Sequence, residues 1–209
     1  MIFETFPVGP LECNCVILGD EESHEALVVD PGGDVDLILE RLKALGLRAR
    51  CLLHTHAHLD HVGASRELAV ATGAEILLHK ADVWLYENLA MQGAMLGMRV
   101  GTPHPVSRHL AEGDTIVAGK IGAEVFHTPG HTPGSVCFRI DGGEPLLLSG
   151  DTLFQGSIGR TDLWGGSYPD IISSIKKKLL VLPGETVVHC GHGDPTTIDE
   201  ERRNNPFLR

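Results

Sequence analysis

The stretch "LLHTHAHLDHVGA", Leu52 to Ala64, decides the reading of this chain. The apolar run "RARCLL" breaks at His54 into a polar segment in which four histidines and an aspartate fall within eight residues. His56 and His58 stand two apart. On a helix such a pair does not share a face, but in an extended or turning loop both imidazoles reach one point. Asp60 and His61 follow where a helical pattern starts, and address a second point. Imidazoles at this density repel one another if protonated, and a divalent metal holds them neutral. An H-x-H-x-D-H segment after an apolar strand therefore points to metal.

Further donors stand at other strand ends. "HTPGHTPGS" places His131 between turns, "LLLSGDTLF" ends an apolar run at Asp151, and "VVHCGHGDP" ends another at His192. Glycines beside them permit close backbone approach. With His56, His58, Asp60 and His61 the inventory is five histidines and two aspartates. One tetrahedral zinc takes four ligands. Seven side chains fit two ions with positions open for water, and Asp151, alone on its strand, is the natural bridge. Two divalent metals are expected, zinc first with iron and manganese as alternatives, since donors without thiolate suit all three. Four positive charges, less two carboxylates and a hydroxide, leave about one to attract an anionic or polarised substrate.

The 209 residues fit one domain, 1–209. At 42% hydrophobic and 22% charged, the composition is that of a soluble globular protein. A net charge of −11 argues against a nucleic-acid or anionic-membrane partner. No apolar run approaches a membrane span. "MIFETFPVGP" lacks the basic and apolar regions of a signal peptide. Five cysteines without a CxxC pair read as reduced thiols of a cytoplasmic protein. There is no G-x-S-x-G elbow, phosphate-binding G-x-x-x-x-G-K or dinucleotide G-x-G-x-x-G.

Strand-like runs are "NCVIL", "ALVVD", "RARCLLH", "AEILLH", "TIVAG", "AEVFHT", "SVCFRI", "PLLLSG" and "ETVVHC". Helical patterns are "DVDLILERLKALG", "HVGASRELAVATG", "KADVWLYENLAMQGAMLG", "YPDIISSIKKKLLVLPG" and "IDEERRNN", and "GTPHPVSRHL" reads as a loop. The order predicts two packed β-sheets with helices on both outer faces. A doubly wound sheet produces similar segments.

"THAHLDH", then His131, Asp151 and His192 in that order, resembles the metallo-β-lactamase superfamily. The resemblance implies an αββα sandwich of two mixed sheets. It implies His56, His58 and His131 on one metal, Asp60, His61 and His192 on the other, and Asp151 on both. "VVDPGG", "HTPGHTPGS", "SGDTLFQGSIGRTD" and "GHGDPTTIDEERRNNPFL" are similar to the glyoxalase II type, the hydroxyacylglutathione hydrolases, in their short bacterial form. The longer enzymes carry a C-terminal helical extension that helps hold glutathione, and most of it is not matched here. Asp30, in "VVDPGG", resembles the buried aspartate that braces the ligand loop, with a turn aspartate before Pro-Gly as the other reading. Arg160 lies in a loop similar to one where the long enzymes carry a basic glutathione-binding residue, and is expected to hold a substrate carboxylate. "GRTDL" is also similar to the persulfide dioxygenases, whose single iron would use His56, His131 and Asp151.

The expected activity is metal-dependent hydrolysis of an activated acyl bond in a small molecule, such as the thioester S-D-lactoylglutathione. The metals would lower the pKa of a shared water from 15.7 to about 7, and the hydroxide attacks the carbonyl. A thiolate leaving group, pKa about 8.5, needs no dedicated acid. Asp60 and Asp151 are the catalytic carboxylates, Asp60 binding metal and holding the hydroxide's proton. Mononuclear iron oxidation of a glutathione persulfide is the alternative. His54, His79, His127 and His189 are expected to pack or to orient ligands.

Overall fold

The computed structural model describes residues 1–209. One sheet has six strands in chain order: β1 (Ile2–Val8), β2 (Cys13–Gly19), β3 (Glu25–Val29), β4 (Arg48–Leu53), β5 (Glu75–His79) and β6 (Arg108–Leu110). Its first two pairings are antiparallel and its last three parallel. The later strands are β7 (Thr115–Ala118), β8 (Ile121–His127), β9 (Val136–Asp141), β10 (Leu146–Gly150), β11 (Leu153–Phe154), β12 (Ser157–Ile158), β13 (Val187–Cys190) and β14 (Thr196–Thr197). The second sheet runs β14-β13-β10-β9-β8-β7, with β10 and β13 parallel, and β11-β12 is a separate ribbon. The helices are α1 (Val35–Ala44), α2 (Leu59–Val62), α3 (Ser65–Thr72), α4 (Val83–Glu87), α5 (Leu89–Met95), α6 (Tyr168–Ser174) and α7 (Ile198–Asn204). A π-helical turn, Ile175–Leu179, extends α6.

Period-2 alternation divides the apolar residues into three layers. Leu18, Leu27, Leu53 and Leu77 of the first sheet meet Val125, Phe138, Ile140 and Leu148 of the second. Their neighbours Ile17, Val28, Leu52 and Ile76 point the other way, onto Ile38 of α1, Leu68 of α3 and Leu85 of α4. Cys137, Leu147 and Val188 pack on Ile171, Ile175 and Ile198. The result is the expected αββα sandwich with two mixed sheets, and helices pack on the outer face of each. No helix is long and apolar enough to cross a membrane.

The differences from expectation are local. "HVGASRELAVATG" forms two helices, α2 and α3, parted at Gly63–Ala64, where the Ala64 N–H bonds the Pro31 carbonyl at 3.0 Å instead of a carbonyl of its own helix. "KADVWLYENLAMQGAMLG" divides at Asn88 into α4 and α5. The loop "GTPHPVSRHL" ends in β6, and the N-terminal β1 pairs with β2 along its whole length.

Candidate metal centre

The ends of β4, β10 and β13 and the β8–β9 turn lie at one edge of the sandwich. From them the seven predicted donors converge. His56 Nε2, His58 Nδ1 and His131 Nε2 stand 3.1, 3.2 and 2.9 Å apart in pairs. For His56 and His131 the far ring nitrogen fixes the tautomer. His131 Nδ1–H donates to the Arg160 carbonyl at 2.8 Å. Thr55 Oγ1 donates to Asp30 at 2.6 Å and accepts from His56 Nδ1–H at 3.1 Å. The Nε2 lone pairs of His56 and His131 therefore point at the same spot. Burial, reinforced by the neighbouring imidazoles, holds His56 well below the ordinary histidine range and pushes His58 down to about 3. Neutral, converging nitrogens at this spacing are what one ion with bonds of about 2.0–2.1 Å needs.

A second group lies beside the first. His61 Nε2 is 3.5 Å from Asp60 Oδ2, and His192 Nε2 is 3.1 Å from that same oxygen. Asp151 stands between the groups. Its Oδ2 is 3.6 Å from His131 Nε2, and its Oδ1 is 3.4 Å from His61 Nε2 and 3.9 Å from His192 Nε2. His58 Nε2, His61 Nε2 and Asp151 Oδ1 are buried without a hydrogen-bond partner. Such atoms are costly unless something binds them, so two orphaned donors in the second group mark a place for a cation. The residues present fit two metal ions.

The backbone is shaped to bring the groups together. Gly150 adopts φ +49° where the β10–β13 register shifts, which turns Asp151 out of the sheet. At Gly191 a Cβ would lie 2.1 Å from Asp151 Oδ1 and 2.8 Å from the His61 ring. Only glycine admits the carboxylate there.

Asp30 is 2% exposed and sits at φ +50°. One oxygen accepts from the Thr55 N–H at 2.8 Å, and the other from Thr55 Oγ1 and from His61 Nδ1 at 3.0 Å. It thereby aims rings in both groups. Cys13, whose thiol burial pushes up to about 12, lies 3.4 Å from that same Nδ1, on the edge of the ring away from the donors. The Arg160 side chain does not enter the cluster. It is 59% exposed and forms a two-point pair with Asp162 at 2.8 and 2.9 Å, while its carbonyl orients His131.

Three supporting residues had no signal in the sequence. Asp82 is fully buried and accepts from the Ala57 N–H at 3.0 Å, the Gly134 N–H at 2.6 Å and Thr132 Oγ1 at 2.7 Å. It ties the loop of His56 and His58 to that of His131. Asn14 on β2 donates to the carbonyls of Cys190 and Gly193 at 3.0 and 2.9 Å, holding the His192 loop. Gln92 caps the start of α2 through the Leu59 N–H at 3.0 Å. His54 donates to or accepts from Ser65 at 3.1 Å, and His79 stacks on His127 with ring centres 4.1 Å apart, so these histidines lie outside the cluster.

Residues 8–192 match the family model of the metallo-beta-lactamase superfamily. Hydroxyacylglutathione hydrolase GloC of Haemophilus influenzae is 40% identical over 210 residues, which cover 100% of this chain and 98% of that protein. The mitochondrial persulfide dioxygenase ETHE1 of Homo sapiens is 30% identical over 210 residues, 95% of this chain and 73% of that protein. Two solved structures are similar. BLEG-1, a B3 metallo-beta-lactamase, superposes with a TM-score of 0.91 at 39% identity over 99% of both chains. TTHA1623 in a di-iron-bound form superposes at 0.89, also 39% identical, over 97% of this chain and 98% of that one.

Proposed function

The chain belongs to the metallo-beta-lactamase superfamily, and from that premise we propose that it is a binuclear metallohydrolase of glutathione-type thioesters such as S-D-lactoylglutathione. The observation that carries this reading is the divided donor set: three imidazoles around one point, Asp60, His61 and His192 around another, and Asp151 facing both. Full-length likeness to a hydroxyacylglutathione hydrolase supports the thioester. We assign zinc to both positions, although iron and manganese fit the same donors, and a related chain has been solved with two irons. Five buried free thiols fit a reducing compartment, and we place the protein in the cytoplasm.

When bound, the metals supply a water that ionises near neutrality and a Lewis acid for the carbonyl oxygen. The rest is done by the chain. Asp30 and Thr55 hold His56 and His61 in the tautomers that present Nε2 inward. Asp60, whose carboxylate lies with His61 and His192 in the second donor group, would hold the proton of the attacking water. The leaving thiolate needs no protonated acid. Arg160, at the rim beside His131, receives a carboxylate of the thiol carrier in exchange for Asp162.

Likeness to a persulfide dioxygenase supports a second reading, oxidation at one iron held by His56, His131 and Asp151. It leaves Asp60, His61 and His192 without a task. Turnover of S-D-lactoylglutathione and glutathione persulfide, each with and without air, separates the two. Thioester hydrolysis should be equal in both atmospheres. Persulfide oxidation that consumes O₂ and exceeds the thioesterase rate overturns the hydrolase.

A further inference from the structure

A cleft of about 310 Å³ opens against Asp60, at the edge of the second donor group. That volume is at the lower end for small-molecule sites. It is lined by Gly32, Gly33 and Gly63, by Leu11 in the turn between β1 and β2, and by Leu96, Met98 and Val100 beyond α5. The segment beyond α5 is seated on Gly93, where a Cβ would lie 2.5 Å from Val100 Cγ2 and 2.9 Å from the Met98 carbonyl.

This lining leaves large apolar side chains in water. Leu11, Leu96 and Met98 are 45%, 50% and 37% exposed. Exposed apolar side chains that line one concave space, with Asp60 of the second donor group in the same lining, mark a ligand surface rather than random exposure, and methionine adapts to chains of different length. The charges speak against an anion there. Asp34 is engaged by the Gly9 N–H at 2.7 Å. Glu67 adds negative charge, against the single cation Arg99, and the Asp60 carboxylate belongs to the donor group.

We propose that this cleft holds the acyl arm of the substrate, and that the arm is an apolar chain or ring larger than lactoyl. The proposal rests on the thioester reading above and names its acyl class. It also orients the substrate. Arg160 belongs to the loop that orients His131 of the first group, and the cleft abuts Asp60 of the second. The anionic thiol carrier extends past the first group and the apolar acyl arm past the second.

Equilibrium binding of two non-hydrolysable thioethers to metal-loaded protein tests this without turnover. S-octylglutathione and S-methylglutathione share the carrier and differ only in the arm. The octyl compound should bind at least about 10-fold tighter, the contribution of roughly two buried methylene groups. In Leu11→Asp and in Met98→Asp, both changes at exposed positions, the gap should fall below about threefold. Equal binding of the two thioethers, absence of binding included, overturns the proposal, as does a gap that survives in both variants. Failure to hydrolyse any thioester overturns the hydrolase reading instead, and leaves the thioether result to decide the cleft.

Discussion

Asp30 does more than its place in a Pro-Gly turn suggests. One carboxylate positions Thr55, and through it His56, as well as His61. Asn tolerates the left-handed backbone at this position, so Asp30→Asn should fold. Removing the charge should weaken metal binding by about 10- to 100-fold, measured by competition with a chelator, and unchanged affinity would reduce Asp30 to a turn residue. Arg160 carries the riskier expectation. A charge-assisted contact of about 1.5–3 kcal/mol sets a loss of at least about 10-fold, and competition from Asp162 places the result at that lower end. Arg160→Ala should therefore raise KM for the glutathione thioester about 10-fold and spare kcat. A KM within twofold of the parent assigns the arginine to its pair with Asp162 alone. The convergence of the seven side chains could be read from the sequence because a metal site draws on particular residue types at strand ends. Asp82 could not, since its partners Thr132 and Gly134 lie 50 and 52 residues away and leave no local spacing.

At the scale of elements, strands deliver the donors and loops are braced to hold them. Asp82→Ala leaves the Ala57 and Gly134 N–H groups unsatisfied in the interior, while the Thr132 hydroxyl keeps Ser135 Oγ at 2.7 Å. At about 1–3 kcal/mol for each buried orphan, the variant should lose roughly 2 kcal/mol or more in urea unfolding. A loss below about 1 kcal/mol would show that the two loops hold each other without it. Near-continuous apolar runs made β2 to β5 and β8 to β10 legible, because those strands are covered on both faces. β6 was hidden by "PHPVSRHL", whose prolines read as a loop, and only Leu110 of its three residues is buried. Helix breaks at Gly63 and Asn88 were equally hidden. At the Gly63 break the Ala64 N–H turns to the Pro31 carbonyl, a neighbour that periodicity does not register.

Across the whole molecule, three apolar layers form the sandwich without the donors, so stripping metal should leave the secondary structure and lower stability. A ligand at 1,000 times its Kd contributes about 4.1 kcal/mol, and 1 kcal/mol moves Tm by about 2–4 °C in a domain of this size. Chelation should therefore lower Tm by roughly 8–16 °C for one site, with far-UV circular dichroism unchanged at 25 °C. The stripped protein should also be acid-labile. Burial lowers His54 and His79 to about 4, His58 to about 3, and also His56 and His189. His61, against its burial and beside Asp151 and Asp30, and His192, through its hydrogen bond to Asp60, are raised. Five lowered groups against two raised mean that the unfolded chain binds more protons below pH 6.5. The net stability is present above that pH and is lost as pH falls toward 3. A urea midpoint in chelator that rises between pH 7 and pH 4 would contradict this balance.

Counting metals per chain decides whether both donor groups bind an ion. Elemental analysis of fully loaded protein, beside His192→Ala prepared in the same way, should give two ions for the parent and about one for the variant, because His192 serves only the second group. One ion per chain in the parent, unchanged in His192→Ala, would contradict the account.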